Sequence, residues 1–481
     1  MVVRRGTIVA ISLVALAWAS GLHAQQAAPA PVATPAPAAI PAPAATPASV
    51  ATPVPVATPA PSPVPIPTVP GAAALPAPGD PNAPAVAAPP KPKPKKKVVR
   101  AAPPLETVLS ADPAPTLQPD TADATARALA RYRMIEQSGG WPLIMHPLRP
   151  SAKGAEVAIL RRRLAIEGDL APALAGDGPA SLAWDDDLTD AVKRFQSRVG
   201  LRQNGIVASA TLKAINVPVS ERVSELAASE QRLQSLDFAF ADRYVVVNLP
   251  STSVEAVEGG RVARRYVAIV GDVDHPSPEI SAHIQVINLN PTWTVPTSII
   301  RKEIIPKMQR DPGYLKRAKI RILDTAGAEV DAGSIDWNSQ RAVAYTLRQD
   351  SGAGNSLGSI RIGMPNKLSV YMHDTPSKHL FGADYRFLSH GCVRVQGVYD
   401  LAGWLLQGAQ GGWDKTALTA RVQSGAREDI RLAQSVPVIW VYLTGWANAD
   451  GAANFRNDVY SMDDATIAAA SALPQTPVPV Q

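Results

Sequence analysis

The chain has 481 residues, 46% of them hydrophobic, with 47 prolines, one cysteine and a formal net charge of +6, a length that supports two or three domains once segments unable to fold are set aside. One cysteine excludes an internal disulfide, and with scattered histidines it excludes the ligand spacing of a structural zinc site. The positive charge does not indicate nucleic acid, because residues 1–104 carry a net +7 and the rest of the chain sums to −1.

Residues 1–24 read as a secretory signal peptide: Arg4 and Arg5 precede an apolar run from Ile8 to Trp18, and small residues follow to Ala24. Leu22 stands at the minus-three position, where a smaller residue is usual, so an uncleaved membrane anchor is the alternative. Either way the body of the protein is expected outside the cytoplasm. Residues 25–104 are mostly Ala, Pro, Val and Thr with no helical or strand period, the composition of a disordered tether. At about 3.1 Å per residue in the extended polyproline form, it would reach at most on the order of 250 Å. Its end, KPKPKKKVVR, reads either as a contact for an anionic surface or as a solubilising linker end.

A helical region is expected from 105 to 240. TADATARALARYRMIEQ has apolar residues at three- and four-residue spacing and stops at Gly139-Gly140. Within 153–217, three short helices (EVAILRRRLAIEGD, DDLTDAVKRFQSRVGL and SATLKAINV) would pack around Leu160, Leu164, Val192, Phe195, Leu201, Val207 and Leu212. A connecting helix, ERVSELAASEQRLQSL, follows. From 241 the period becomes strand-like (RYVVVNLP, SVEAVEGG, RVARRYVAIVG, AHIQVINLNP), giving a β-rich domain to 463. It is interrupted by a helical, charged insertion at 297–338. Strands are expected to resume at AVAYTLRQD and SVYMHD, and VPVIWVYLTGWAN suits a buried strand. Residues 464–481 read as a disordered tail. The fold class is multidomain α+β.

The lone cysteine, Cys392, is either buried and inert or used. Its surroundings, SVYMHDTPSKHLFGADYRFLSHGCVRVQG, favour use. A thiol with a pKa of about 8.5 is mostly protonated at neutral pH and needs a neighbouring base for acyl transfer. His373 ends a strand-like run that would hold it rigidly and is the best candidate. His390, two positions from Cys392 on an extended segment, keeps the same face without bringing a ring nitrogen onto the sulfur, so it reads as loop-shaping. His379 reads as an exposed loop histidine. Gly391 permits a tight turn in which its amide and that of Cys392 aim at one developing oxyanion, or it is simply a turn glycine.

These residues carry resemblances. AVKRFQSRVGLRQNGIVASATLKAINV resembles a peptidoglycan-binding module of the PG_binding_1 type, in which Phe195 reads as core and Gln196 as helix surface. His373, Asp374, the fourteen residues Thr375 to Leu388 and then SHGCVR are similar to the signature of YkuD-type L,D-transpeptidase catalytic domains. GGWP, NPTWTVP, RDPGYL, NSLG and YMHDTP extend the likeness, over roughly 104–463, to the YcbB-like subclass, with its scaffold domain and capping insertion.

The resemblance implies that Cys392 is the nucleophile and His373 the base, with a backbone carbonyl, not Asp374, orienting the ring. Ser389, His390 and Gly391 would shape the oxyanion side, and Arg394 and Tyr371 would contact substrate. It implies no metal and no cofactor. The implied substrate is a peptidoglycan stem peptide: D-Ala leaves, a thioester remains, and a stem amine closes a 3–3 cross-link. A D-amino acid, an outer-membrane protein amine or water are the other acceptors, the last making the enzyme an L,D-carboxypeptidase. A non-catalytic wall-binding protein is the rival outside enzymes. The resemblance further implies a periplasmic location and inhibition by carbapenems.

Overall fold

The computed structural model describes residues 105–472 except Asp177. The expected signal peptide, the tether and residues 473–481 lie outside the described residues.

The helical region contains α1 (Thr121–Gln137), α2 (Ala155–Glu167), α3 (Asp186–Arg198), α4 (Ser209–Ile215) and α5 (Val219–Gln234). Asp185 caps α3 by accepting from the Leu188 amide at 2.9 Å, satisfying one of the unpaired donors of the first turn. Leu160, Leu164, Val192, Phe195 and Val207 are fully buried in one cluster, as their helical spacing requires, with Leu212 packed at its margin. Gln196, expected on the helix surface, is instead buried. Its Nε2 donates to Asn204 Oδ1, Ile206 O and Thr211 Oγ1, and its Oε1 accepts from the Gly205 amide, so it holds the QNGIV turn closed. Arg198 pairs with Asp169 inside the module and donates to Ala453 O beyond it, one of several contacts that join the module to the rest of the chain.

The sheet begins with β1 (Arg243–Asn248), β2 (Ser253–Glu258), β3 (Arg261–Gly271) and β4 (Ile280–Leu289). The insertion follows: β5 (Trp293–Thr294), α6 (Thr297–Ile299), a π-helical turn (Ile300–Ile304), α7 (Ile305–Arg310), α8 (Tyr314–Arg317), β6 (Ile320–Leu323), β7 (Glu329–Val330) and β8 (Thr346–Gln349). Then come β9 (Ile360–Gly363), β10 (Met372–His373), β11 (Phe387–Ser389), β12 (Val393–Val395), α9 (Val398–Leu405), α10 (Lys415–Gln423), β13 (Glu428–Val441), β14 (Gly445–Ala447), β15 (Ala453–Phe455) and α11 (Asp463–Ala472). The main sheet has the order β11-β3-β12-β10-β9-β4-β13-β1-β2, and β2 also pairs with β3, which closes it. Its apolar residues and those of α9 form the largest core.

Two expectations change here. The insertion is not purely helical and does not stop at 338: β5, β8, β6 and β7 form a separate four-stranded sheet, so the TLRQ strand belongs to the insertion and not to the main sheet. It is a small folded unit with its own core of Ile300, Ile304, Ile305, Met308, Leu315 and Leu347. The expected disordered tail is ordered over 464–472 as most of α11, where Arg232 pairs with Asp463 at 2.7 Å and donates to Thr466 Oγ1 at 2.8 Å.

Candidate active site

The site follows from strand alternation. β10 lies between β9 and β12, parallel to β12 and antiparallel to β9, with His373 opposite both Arg361 and Arg394. Ile360, Ile362, Met372, Val393 and Val395 point into the main core and are fully buried or nearly so. Residues one position out of phase, Arg361, Tyr371, His373, Cys392 and Arg394, therefore share the opposite face. The insertion covers that face. Between them is a cavity of about 230 Å³ lined by Cys392, His373, Tyr371 and Arg394 from the sheet and by Trp293, Glu303, Lys307 and Tyr314 from the insertion.

Cys392 is partly exposed at the floor of this cavity. Burial raises its thiol pKa; hydrogen bonds from Tyr371 and the charges of Arg361 and Arg394 oppose that without cancelling it. His373 is buried, and its pKa is lowered to about 3 by desolvation first and by the charge of Arg394 second. The backbone of Asp374 and Leu357 partly offsets this, yet Nδ1 makes no well-formed hydrogen bond. Both shifts favour the neutral form, of the Cys392 thiol and of the His373 imidazole alike. The Tyr371 ring stands edge-on to His373, centroids 5.7 Å apart, and Arg361 lies over the Tyr371 ring at 4.6 Å.

The turn before Cys392 is held from both sides. Ser389 Oγ donates to Cys392 O at 2.5 Å and accepts from the Gly391 amide at 3.2 Å, while Ser277 Oγ donates to Gly391 O at 2.8 Å. Gly391 has φ +99°, a conformation that a side chain would strain. Its amide is turned to Ser389, so the expected pair of amides converging on one oxyanion is not formed. His390 Nε2 lies 2.8 Å from Glu303 Oε1 of the insertion, and its ring lies 4.7 Å from that of His275. His275 in turn contacts Asp272 Oδ1 at 3.0 Å and Lys302 Nζ at 3.0 Å. His379 is exposed in a short 3-10 turn, Lys378–Gly382. Asp374 faces away from the imidazole, accepting from the Ser359 amide at 3.0 Å and pairing with Lys378.

The sequence-predicted Cys392, His373, Tyr371 and Arg394 are thus brought together, and Ser389, His390 and Gly391 form the turn beside them. Arg361, Trp293, Glu303 and Lys307 were not foreseen. The IRIG alternation of β9 would have placed Arg361 on the right face, but not which strand it would adjoin.

Cys392 and a buried imidazole, His373, thus line one cavity on the face of a closed mixed sheet. Residues 242–420 match the YkuD family, the L,D-transpeptidase catalytic domain, and residues 153–215 match PG_binding_1, described as "Putative peptidoglycan binding domain". A curated Haemophilus influenzae protein named "Putative L,D-transpeptidase" is 32% identical over 252 residues, covering 51% of this chain. The chain spans about half the length of that relative, 50%. Among solved structures, the L,D-transpeptidase of Xylanimonas cellulosilytica (residues 123–326) is 16% identical, covering 62% of this chain and 99% of its own, with a TM-score of 0.21. That of Stackebrandtia nassauensis is 12% identical, covering 62% and 96%, with a TM-score of 0.23.

Proposed function

We propose that this protein is an exported L,D-transpeptidase that acts on peptidoglycan stem peptides through a thioester on Cys392. The observation that carries the reading is the alignment of Cys392 and His373 on one face of adjacent strands, inside a cavity walled by the insertion. In the proposed reaction the sulfur attacks the carbonyl between the third stem residue and a terminal D-Ala while His373 takes the thiol proton. D-Ala departs with that proton. A stem amine then displaces the sulfur and closes a 3–3 cross-link; a D-amino acid or an outer-membrane protein amine are the other amine acceptors. The Cys392 amide is the candidate oxyanion donor, since the Gly391 amide is engaged by Ser389. Arg361 and Arg394 supply positive charge beside the sulfur, which favours thiolate as it develops. The PG_binding_1 domain supports a wall polymer as the substrate and the periplasm as the location.

The test is intact-protein mass of the enzyme mixed with a tetrapeptide stem, then product analysis on purified sacculi. An adduct equal to the stem less D-Ala, lost in Cys392→Ala, is expected, followed by 3–3 dimers. Tripeptide alone from an enzyme that acylates normally would make it an L,D-carboxypeptidase, and no adduct would leave the wall-binding rival. A carbapenem, whose strained lactam presents a similar carbonyl, should likewise add its full mass to Cys392.

A further inference from the structure

The wall that the insertion contributes to the Cys392 cavity carries one adjacent pair of opposite charges. Glu303 lies in the π-helical turn and Lys307 four residues on in α7, with Lys307 Nζ 2.7 Å from Glu303 Oε2 and each side chain about one-third exposed, at 31% and 37%. Among the described residues lining the cavity, Glu303 is the sole carboxylate. Ile300, Ile305 and Met308 turn the other way, into the insertion's own core. That face anchors the helix and leaves the charged pair toward the cavity. An exposed i,i+4 pair contributes only about 0.3–0.5 kcal/mol to a helix, so stability gives little reason for it. π-helical turns are uncommon and occur often at functional sites.

A carboxylate beside an ammonium is the complement of an amino-acid head group, in which an ammonium and a carboxylate share one carbon. His390, bonded to Glu303 and two residues from Cys392, links this pair to the nucleophile turn. We infer that Glu303 and Lys307 form the recognition site for the acceptor, Glu303 taking the ammonium and Lys307 the carboxylate of an α-amino-acid head group. This rests on the transpeptidase reading. Bound there, the ammonium releases one proton to solvent and its nitrogen forms a C–N bond at the thioester carbonyl. The C–S bond breaks, and a second proton passes by way of His373 to the Cys392 sulfur. The head group is either that of a free D-amino acid or the side-chain end of a diaminopimelate stem.

The acyl-enzyme is formed with a tetrapeptide stem, and its partition between amide product and hydrolysis is measured with three acceptors: D-methionine, D-methioninamide and a diaminopimelate-containing stem. Counting per acyl-enzyme removes any change in acylation rate. Wild-type enzyme should prefer D-methionine over its amide at least tenfold at equal free amine; no preference overturns the inference without any variant. Lys307→Gln should lower the partition to D-methionine about tenfold and that to the amide less than twofold, and Lys307→Arg should restore it. Glu303→Gln should lower both. Equal losses with both acceptors in Lys307→Gln, or unchanged partition in both Gln variants, would show the pair to be packing only. Whichever of D-methionine and the stem is favoured identifies the source of the head group. If wild-type Cys392 forms no thioester before any acceptor is added, the transpeptidase reading fails and the inference falls with it.

Discussion

The buried imidazole of His373 should make the protein acid-labile by a calculable amount. In the unfolded chain it titrates at its ordinary value of about 6.5; folded, it does so only at about 3, because desolvation and the charge of Arg394 oppose protonation. Between those values the unfolded state holds a proton that the native state lacks, so stability falls as pH falls. The slope is about 1.4 kcal/mol per pH unit, and from pH 7.5 to 4.5 the loss integrates to about 2–3 kcal/mol. The measurement compares Cys392→Ser with Cys392→Ser/His373→Gln by urea unfolding followed by tryptophan fluorescence at each pH. Glutamine does not titrate, and other groups that lose or gain protons, such as Glu225, raised to about 7 mainly by burial, are common to both proteins and cancel. The stability difference between the two should shift by about 2–3 kcal/mol over that range, with the His373 protein losing more. Parallel curves from pH 7.5 to 4.5 would refute a neutral buried imidazole.

Because burial raises the Cys392 thiol, its alkylation by iodoacetamide in the free enzyme should be slow at pH 7 and still climbing above pH 9; a plateau by pH 7 would mean a preformed thiolate. Replacing residues 297–345 with a short Gly-Ser link, which leaves the Trp293–Gln349 pairing in place, should raise the ratio of hydrolysis to cross-linking while Cys392 still acylates. An unchanged ratio in a folded variant would show that the insertion does not shield the thioester. Gly358→Ala should lower stability by about 2 kcal/mol or more, since φ is +62° and the new Cβ would lie 2.5 Å from the Asp374 carboxyl carbon, beside His373. A melting temperature equal to wild type would contradict that.

What could be read in the sequence is what short range determines. The 3.6-residue spacing of Leu160, Leu164, Val192 and Phe195 marked buried helix faces, because periodicity reports which side of an element meets a core, and short β-branched runs bounded by Gly, Pro or Asn marked β1 to β4. Cys392 and His373 stood out because a lone thiol needs a neighbouring base, and because their spacing resembles a known signature. Periodicity does not name a partner. Gln196 looks like a surface position until the 204–211 turn folds over it and supplies its hydrogen bonds. TLRQ reads as a strand either way, and only pairing with β5 and β6 assigns it to the insertion.

The same holds at the site. Glu303 lies 89 residues before Cys392 in a charged stretch with nothing to distinguish it, and Arg361 sits among alternating residues of a strand whose neighbours are fixed by sheet order. The sequence alone singled out Cys392 and His373 as the candidate nucleophile and base. Only the tertiary structure decided what surrounds them, because burial, the charge of Arg394 and the wall of the insertion are properties of packing between distant segments, and it is these that set the protonation of the pair.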